Sequence, residues 1–456
     1  MTMRTIPRLE GVTGRVIRPD DPDYDKARAL FYGGMDRRPA AVVKVANATD
    51  VARVVSIARE SGLQLGVRSG GHSPVGHGVP DGGIVLDLAD MRALDIDADR
   101  RTAWAETGLT AAEYTAAADA HGLATGFGDT GSVGLGGLTL GGGIGYLVRK
   151  HGLTIDDLLA AEIVTADGEL LRADAESHPD LFWAIRGGGG NFGVATRFML
   201  RLHPVGTIVG GMLMLPATPD TVHSFIALAE AAPGELSTIA NVMTAPPMPF
   251  VPAELHSTLV IFGMLCYAGP VEAGERAVAP FRALAAPIMD MVKPIRYPEM
   301  YPPEDPTYHP IATGQTMFID RVDRPAADLI VERLSASNAK LRVAQIRVLG
   351  GAMARIPVEA TAFAHRRSRI MVNVAALGDT LEEVAAYEPW VTGFVAALQQ
   401  SDTGRYVNFL GDEGEASVRA AYPGATWHRL RTIKARYDPT NVFRLNQNIP
   451  PITKET

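Results

Sequence analysis

The chain has 456 residues, 46% of them hydrophobic and 21% charged, with a formal net charge of −8. That length exceeds one small core and predicts two or more domains, and the composition excludes a disordered or fibrous chain. The acidic balance argues against nucleic acid as a partner, the lack of a long apolar run argues against a membrane span, and the single cysteine, Cys266, excludes an intrachain disulfide. A start without the apolar core of a secretion signal, together with the absence of disulfides, predicts a cytoplasmic location.

Residues 41–45 are apolar and β-branched at intervals, which predicts a strand. Asn47-Ala48-Thr49-Asp50 offers helix-capping side chains, and Val51, Val54, Val55 and Ala58 then share one helical face until Gly62 stops it. Residues 65–67 are the next strand, which completes a β-α-β unit. Strands are predicted at 84–88 and 102–106, and a helix capped by Thr110 runs to Gly122. Asp167-Gly168 between the apolar runs 162–165 and 169–173 predicts a hairpin. A helix at 179–186 and a strand at 194–202 follow. Beyond about residue 206 the pattern changes to long strands at 256–267, 343–349 and 370–376, with helices at 220–231, 326–337 and 381–399. That order predicts an antiparallel sheet with helices on one face. A last helix is expected near 428–437. Cys266 reads as a core residue.

The chemistry concentrates in two stretches. Residues 67–73 read VRSGGHS, a Gly-Gly turn just after a strand that presents His72 beside a backbone stripped of side chains. Residues 132–146 read SVGLGGLTLGGGIGY, a chain able to bend sharply and offer several N–H groups to one anion. Two GxGxxG matches, 126–131 and 188–193, lack the strand-before, helix-after context of a Rossmann site. His72 and His77 are poorly spaced for a zinc site, and no metal is expected.

Together with DLFWAIRGGGGNFGV at 180–194 and RLNQNIPP at 444–451, these stretches resemble the berberine-bridge-enzyme-like branch of the FAD-linked oxidases of vanillyl-alcohol-oxidase type. The resemblance spans nearly the whole chain. It implies an α+β fold: an FAD-binding domain at 1–205 (core about 35–205), a substrate domain with a large antiparallel sheet at 206–405, and a segment at 406–456 that returns to the FAD domain. It implies FAD linked covalently through His72, with Arg68, Ser69, Gly70, Gly71, Ser73, Gly76 and Gly78 around it. Thr130, Ser132, Val133, Gly136, Gly137, Gly141, Gly142 and Gly145 would face it from the second loop, Val164 would lie near the adenosine half, and Asn446 and Asn448 would close the site. Thr130 stands where some members carry a second, cysteinyl link, so a single tether is expected. Val133 is the residue that goes with oxygen-reactive members. The implied partners are a small molecule (an alcohol, sugar or amine) and molecular oxygen.

One departure concerns the base. Members with a YxNY motif use its last tyrosine; here the sequence is Tyr406-Val407-Asn408-Phe409. Read as a strand, this stretch puts Tyr406 and Phe409 on opposite faces. Tyr146, Tyr406 and Asn408 are the catalytic candidates. Tyr308, His309, Arg347 and Trp427 are candidates for lining a substrate pocket.

Overall fold

Residues 9–245, 251, 253–256 and 258–452 are described by a computed structural model. A first sheet has β1 Arg15–Ile17, β2 Ala41–Lys44, β3 Leu65–Arg68 and β4 Ile84–Asp87 in the order β1-β2-β4-β3. Strands β2, β4 and β3 run parallel. Helix Ala48–Ser61 makes the crossover; Asn47 caps it by accepting from the Asp50 N–H, and Gly62 ends it in the left-handed region. Its apolar stripe, Val51, Val54, Val55 and Ala58, is buried against this sheet.

A second sheet contains β5 Leu94–Asp97, β6 Thr102–Glu106, β8 Leu158–Val164, β9 Leu170–Asp174 and β10 Val194–Arg201, in the order β5-β6-β10-β8-β9, all antiparallel. The short β7 Leu123–Ala124 pairs with β11 His203–Pro204. Helix Ala111–Asp119 begins at a capping box between Thr110 and Glu113. The glycine-rich stretch departs from expectation: Leu135–Gly141 is helical despite Gly136 and Gly137. Leu135, Leu138 and Leu140 sink into the core beside Phe127 and Leu181, and that burial overrides the poor helix propensity of glycine.

The third sheet holds β12 Ile208–Pro216, β13 Leu236–Thr244, β14 Leu259–Tyr267, β15 Met289–Asp290, β16 Lys293–Ile295, β17 Ile311–Ile319, β18 Leu341–Val348 and β19 Ile370–Gly378. The order is β15-β12-β14-β13-β18-β19-β17, with β16 also on β12. Helices Pro219–Ala231, Val271–Arg282, Arg324–Ala336 and Leu381–Leu398 share one core with one face of this sheet. The α+β class and the helix-covered antiparallel sheet are thus observed; β12, β13, β15, β16 and β17 carry no strand expected from the sequence.

Strand alternation decides what the opposite face does. Along β19, Ile370, Val372, Val374 and Ala376 enter the helix-side core. Met371 faces the other way, into a cluster with Ile144 and Tyr406, and Asn373 and Ala375 on that same face border a cavity. The tail folds back: Leu430, Ile433 and Tyr437 of helix Ala425–Tyr437 join the core of the second sheet. There the fully buried Lys434 Nζ pairs with Asp438 at 2.6 Å and donates to the carbonyls of Asn191 and Phe443.

Candidate functional site

Beyond β3 the chain leaves the sheet, and none of the N–H groups of residues 69–73 donates a hydrogen bond among the described residues. All five of these residues line a cavity of about 410 Å³. Gly71 is left-handed at φ +72°, and a Cβ on Gly70 would stand 2.2 Å from the Gly134 nitrogen. Glycine at both places lets the two loops touch while their amides stay free. Successive unpaired amides on a concave wall form an anion nest.

His72 lines the cavity between two supports. Its ring stacks on Phe31 at 4.1 Å with 20° between planes. Its Nε2 lies 3.0 Å from Ser132 Oγ, which in turn donates to Glu304 Oε2 at 2.5 Å. Burial lowers the His72 pKa to about 4, against an opposing pull from Glu304, so the imidazole is neutral near pH 7. With the Ser132 hydroxyl hydrogen committed to the carboxylate, Nε2 carries the ring proton, and Nδ1 is the free lone pair.

The other expected residues divide into wall and scaffold. Ser69, Gly70, Gly71, Ser73, Thr130, Val133, Gly136, Gly137 and Asn446 border the cavity. Among the described residues, nothing beyond its chain neighbours and its own helix backbone lies within 4 Å of a Cβ on Gly137, so that face is open. Gly141, Gly142 and Gly145 stand behind the wall: added Cβ atoms would meet Asn408 Oδ1 at 1.9 Å, the Tyr406 ring at 3.3 Å and the Phe127 carbonyl at 1.4 Å. They let chain segments cross closely and are not contact residues. Val164 is fully buried in its ladder beside Val194, and it is Val194 that reaches the cavity. Gly76 and Gly78 also lie outside the wall; Gly76 holds Arg37 through its carbonyl at 2.7 Å, and Gly78 packs against Arg68.

Two expectations are corrected. Arg68 borders the cavity, but its guanidinium is spent elsewhere, on Asp87 at 2.7 Å and on the carbonyls of Ala27 and Ala29. It buttresses the turn with three of its five N–H donors. Tyr146 is absent from the wall; it packs with Tyr297, Tyr301 and Cys266, and its hydroxyl donates to the Asp129 carbonyl at 3.4 Å. Burial and the nearby Asp129 raise its pKa well above 10, and its place off the wall keeps it from the cavity.

Tyr406 does line the cavity. The strand expectation fails here: Val407–Phe409 is a turn of 3-10 helix with Tyr406 at its N-cap, so Tyr406, Asn408 and Phe409 all border the same space. The Tyr406 oxygen accepts from the N–H of Gly143 at 3.0 Å, from the N–H of Ile144 at 3.3 Å and from Asn408 Nδ2 at 3.0 Å. Asn408 is fixed in turn by donating to the Leu138 carbonyl. Burial raises the Tyr406 pKa, and these three donors oppose the rise.

Several wall residues escaped the sequence reading. Phe31 and Tyr32 lie in an irregular N-terminal stretch without periodicity, and Thr313 and Gly314 belong to the unrecognised β17. Gly189, Gly190 and Asn191 lie in the second GxGxxG match; the clustering of glycine there was the available signal. The four pocket candidates are not on the wall. Tyr308 is 55% exposed, His309 bonds the Phe31 carbonyl, Trp427 packs in the tail core, and Arg347 sits behind the wall in an ion pair with Asp129 at 2.6 Å.

A model of the FAD binding domain matches residues 39–174, and one of berberine and berberine-like proteins matches residues 405–450. The uncharacterized FAD-linked oxidoreductase YvdP of Bacillus subtilis is 32% identical over 460 residues, covering 96% of this chain and 98% of its own. The chain belongs to the berberine-like FAD-linked oxidoreductases. Within that family, (R)-6-hydroxynicotine oxidase of Paenarthrobacter nicotinovorans is 29% identical, covering 96% of this chain and 97% of its own. The solved 6-hydroxy-D-nicotine oxidase from Arthrobacter nicotinovorans superposes with a TM-score of 0.86 at 26% identity, covering 98% of this chain and 100% of that one.

The site of this FAD-linked oxidoreductase fits its cofactor on independent grounds. The free amides of residues 69–73 suit a diphosphate. The Asn446 Oδ1 is buried without a partner beside the cavity, an acceptor awaiting a donor; the Asn448 Oδ1 is also unpartnered, but Asn448 lies off the wall. Asn446 is held by donating Nδ2 to the carbonyls of Gly190 and Phe443, which ties the tail to the second glycine loop. No group of three or more His, Cys, Asp or Glu placed to hold a metal occurs among the described residues.

Proposed function

We propose that this FAD-linked oxidoreductase is an oxidase with a single covalent flavin tether at His72, acting on an alcohol, sugar or amine C–H with oxygen as electron acceptor. The observation that carries the reading is a neutral His72 with an unpartnered Nδ1 on the wall of a cavity rimmed by free backbone amides. The chemistry FAD would supply here is acceptance of a hydride at N5 and return of both electrons to dioxygen as hydrogen peroxide. The residues do the rest. Residues 69–73 bind phosphate, and the 134–137 loop keeps the opposite wall flat. Asn446 would orient the cofactor through Oδ1. Tyr406 takes the O–H or N–H proton from the substrate as the new double bond forms; its three donors stabilise the phenolate that this role requires. Phe409 has no proton to exchange. Val133, on the wall with its carbonyl fixed by the Ala111 N–H, supports reaction with oxygen. The lone Cys266 is buried in β14, so no second, cysteinyl tether is available.

Acid precipitation tests the tether. Wild-type protein should keep its yellow colour in the pellet, and His72→Ala should release the flavin to the supernatant. Complete release from wild type would overturn the covalent assignment. Peroxide yield per substrate oxidised, measured against dye reduction under nitrogen, tests the acceptor; dye reduction without peroxide in air would make it a dehydrogenase.

A further inference from the structure

Glu304 lies outside every motif in the sequence, yet it is the outer end of a chain of hydrogen bonds that ends at His72. Its two carboxylate oxygens grip Ser132 twice, accepting from the backbone N–H at 3.1 Å and from Oγ at 2.5 Å. Ser132 is held on both sides by the helix Ala111–Asp119, whose Ala111 and Ala112 N–H groups donate to the carbonyls of Val133 and Gly131. The loop carrying Glu304 is pinned over Phe31 by two bonds, from His309 Nδ1 to the Phe31 carbonyl at 3.2 Å and from the Gly33 N–H to the Pro310 carbonyl at 3.0 Å. Glu304 itself is exposed. The geometry therefore runs from water, through a carboxylate and a hydroxyl, to Nε2, with Nδ1 on the opposite edge of the ring.

Resting on the covalent reading above, we propose that Glu304 and Ser132 form a proton relay for attachment of the cofactor: they hold His72 as the Nε2–H tautomer, so that Nδ1 is the nucleophile, and they remove the Nε2 proton once Nδ1 has bonded. The balance is closed with dioxygen as oxidant. One bond forms, from Nδ1 to the carbon of the flavin 8-methyl group. One C–H bond of that methyl group breaks, and the Nε2–H proton leaves through Ser132 Oγ to Glu304 and on to water. The two electrons released by oxidation of the methyl carbon reduce dioxygen, which with two protons becomes hydrogen peroxide. Glu304 and Ser132 are positioning residues: they act through His72.

The test follows attachment and not turnover. Full-length protein expressed with limiting riboflavin is mixed with FAD, and the acid-stable fraction is followed over time by flavin fluorescence of the denatured band. Glu304→Gln and Ser132→Ala should bind FAD yet attach it slower by roughly 10²-fold, the scale of one lost proton-transfer partner. Ser132→Thr keeps the hydroxyl and should stay close to wild type, as should Asp305→Asn, a neighbouring charge outside the chain of bonds. Attachment at the wild-type rate in both Glu304→Gln and Ser132→Ala, with wild type acid-stable and His72→Ala not, would overturn the relay while sparing the covalent tether. Glu304 is exposed and Gln keeps its shape, so Glu304→Gln decides the matter if Ser132→Ala fails to fold. Complete flavin release from wild type would sink the tether itself, and the relay with it.

Discussion

Two walls face each other across the cavity, and they are built in opposite ways. The wall at residues 69–73 is backbone: glycines bring two loops together, and the amides are left without partners among the described residues. The wall at β17 and β19 is side chain: Thr313, Asn373 and Ala375 project from strands whose alternate residues are sunk in a helix-covered core. The first wall is local in sequence and tolerates little change. The second presents positions that can vary without disturbing the sheet beneath. One fold can therefore keep its cofactor and exchange its substrate.

The largest expected effect separates chemistry from binding. Tyr406→Phe should lower kcat by about 10² to 10⁴-fold while FAD content stays at the wild-type level; stopped-flow bleaching of the flavin by substrate is the measurement. An unchanged reductive rate would move the base to the sheet wall. Next comes the anchor of the tail on the second glycine loop. Lys434→Ala leaves Asp438 charged and buried, and should destabilise by about 3–5 kcal/mol with loss of FAD retention, read from thermal unfolding and flavin content.

A smaller effect concerns acid. His72 and His77 both border the cavity, and burial lowers each pKa to about 4 from 6.5. Glu304 opposes the shift at His72; Arg37 adds to it at His77, against Asp412. Their folded-state values are depressed, so the unfolded chain binds more protons between pH 6.5 and pH 4. The stabilisation is full above pH 6.5 and is lost as pH falls towards 4. At pH 5 each should account for about 2 kcal/mol, and His72→Asn or His77→Asn should flatten the dependence of Tm on pH in flavin-free protein. The smallest effect is the sharpest comparison. Gly70→Ala drives a Cβ onto the Gly134 backbone and should cost about 1–3 kcal/mol of stability. Gly137→Ala meets nothing beyond its chain neighbours and its own helix backbone within 4 Å and should change stability by about 0.5 kcal/mol or less, yet it should weaken FAD binding, because its methyl enters the cavity.

The backbone wall was readable because its signal is compositional. Glycine spacing around His72, the capped helix Ala48–Ser61 and the Asp167-Gly168 turn all express local rules. The sheet wall was not, because β17 carries Thr313, Gly314 and Gln315 with no apolar alternation until Met317. Tyr406 was read on the wrong kind of backbone, since one turn of 3-10 helix leaves no periodic trace. Arg68 and Tyr146 show the limit of transferring a role by position: the guanidinium and the phenol are both present, but aimed elsewhere. Glu304 had no signal at all, because its importance comes only from the residue 172 positions away that it grips.

The seclusion of Cys266 bears on how long such a catalyst lasts. Its thiol is fully buried, and burial pushes its pKa up to about 12, so almost no thiolate exists for an oxidant to attack. Among the described residues, no methionine or cysteine borders the cavity. An oxidant released in the cavity would therefore meet no described sulfur on its walls.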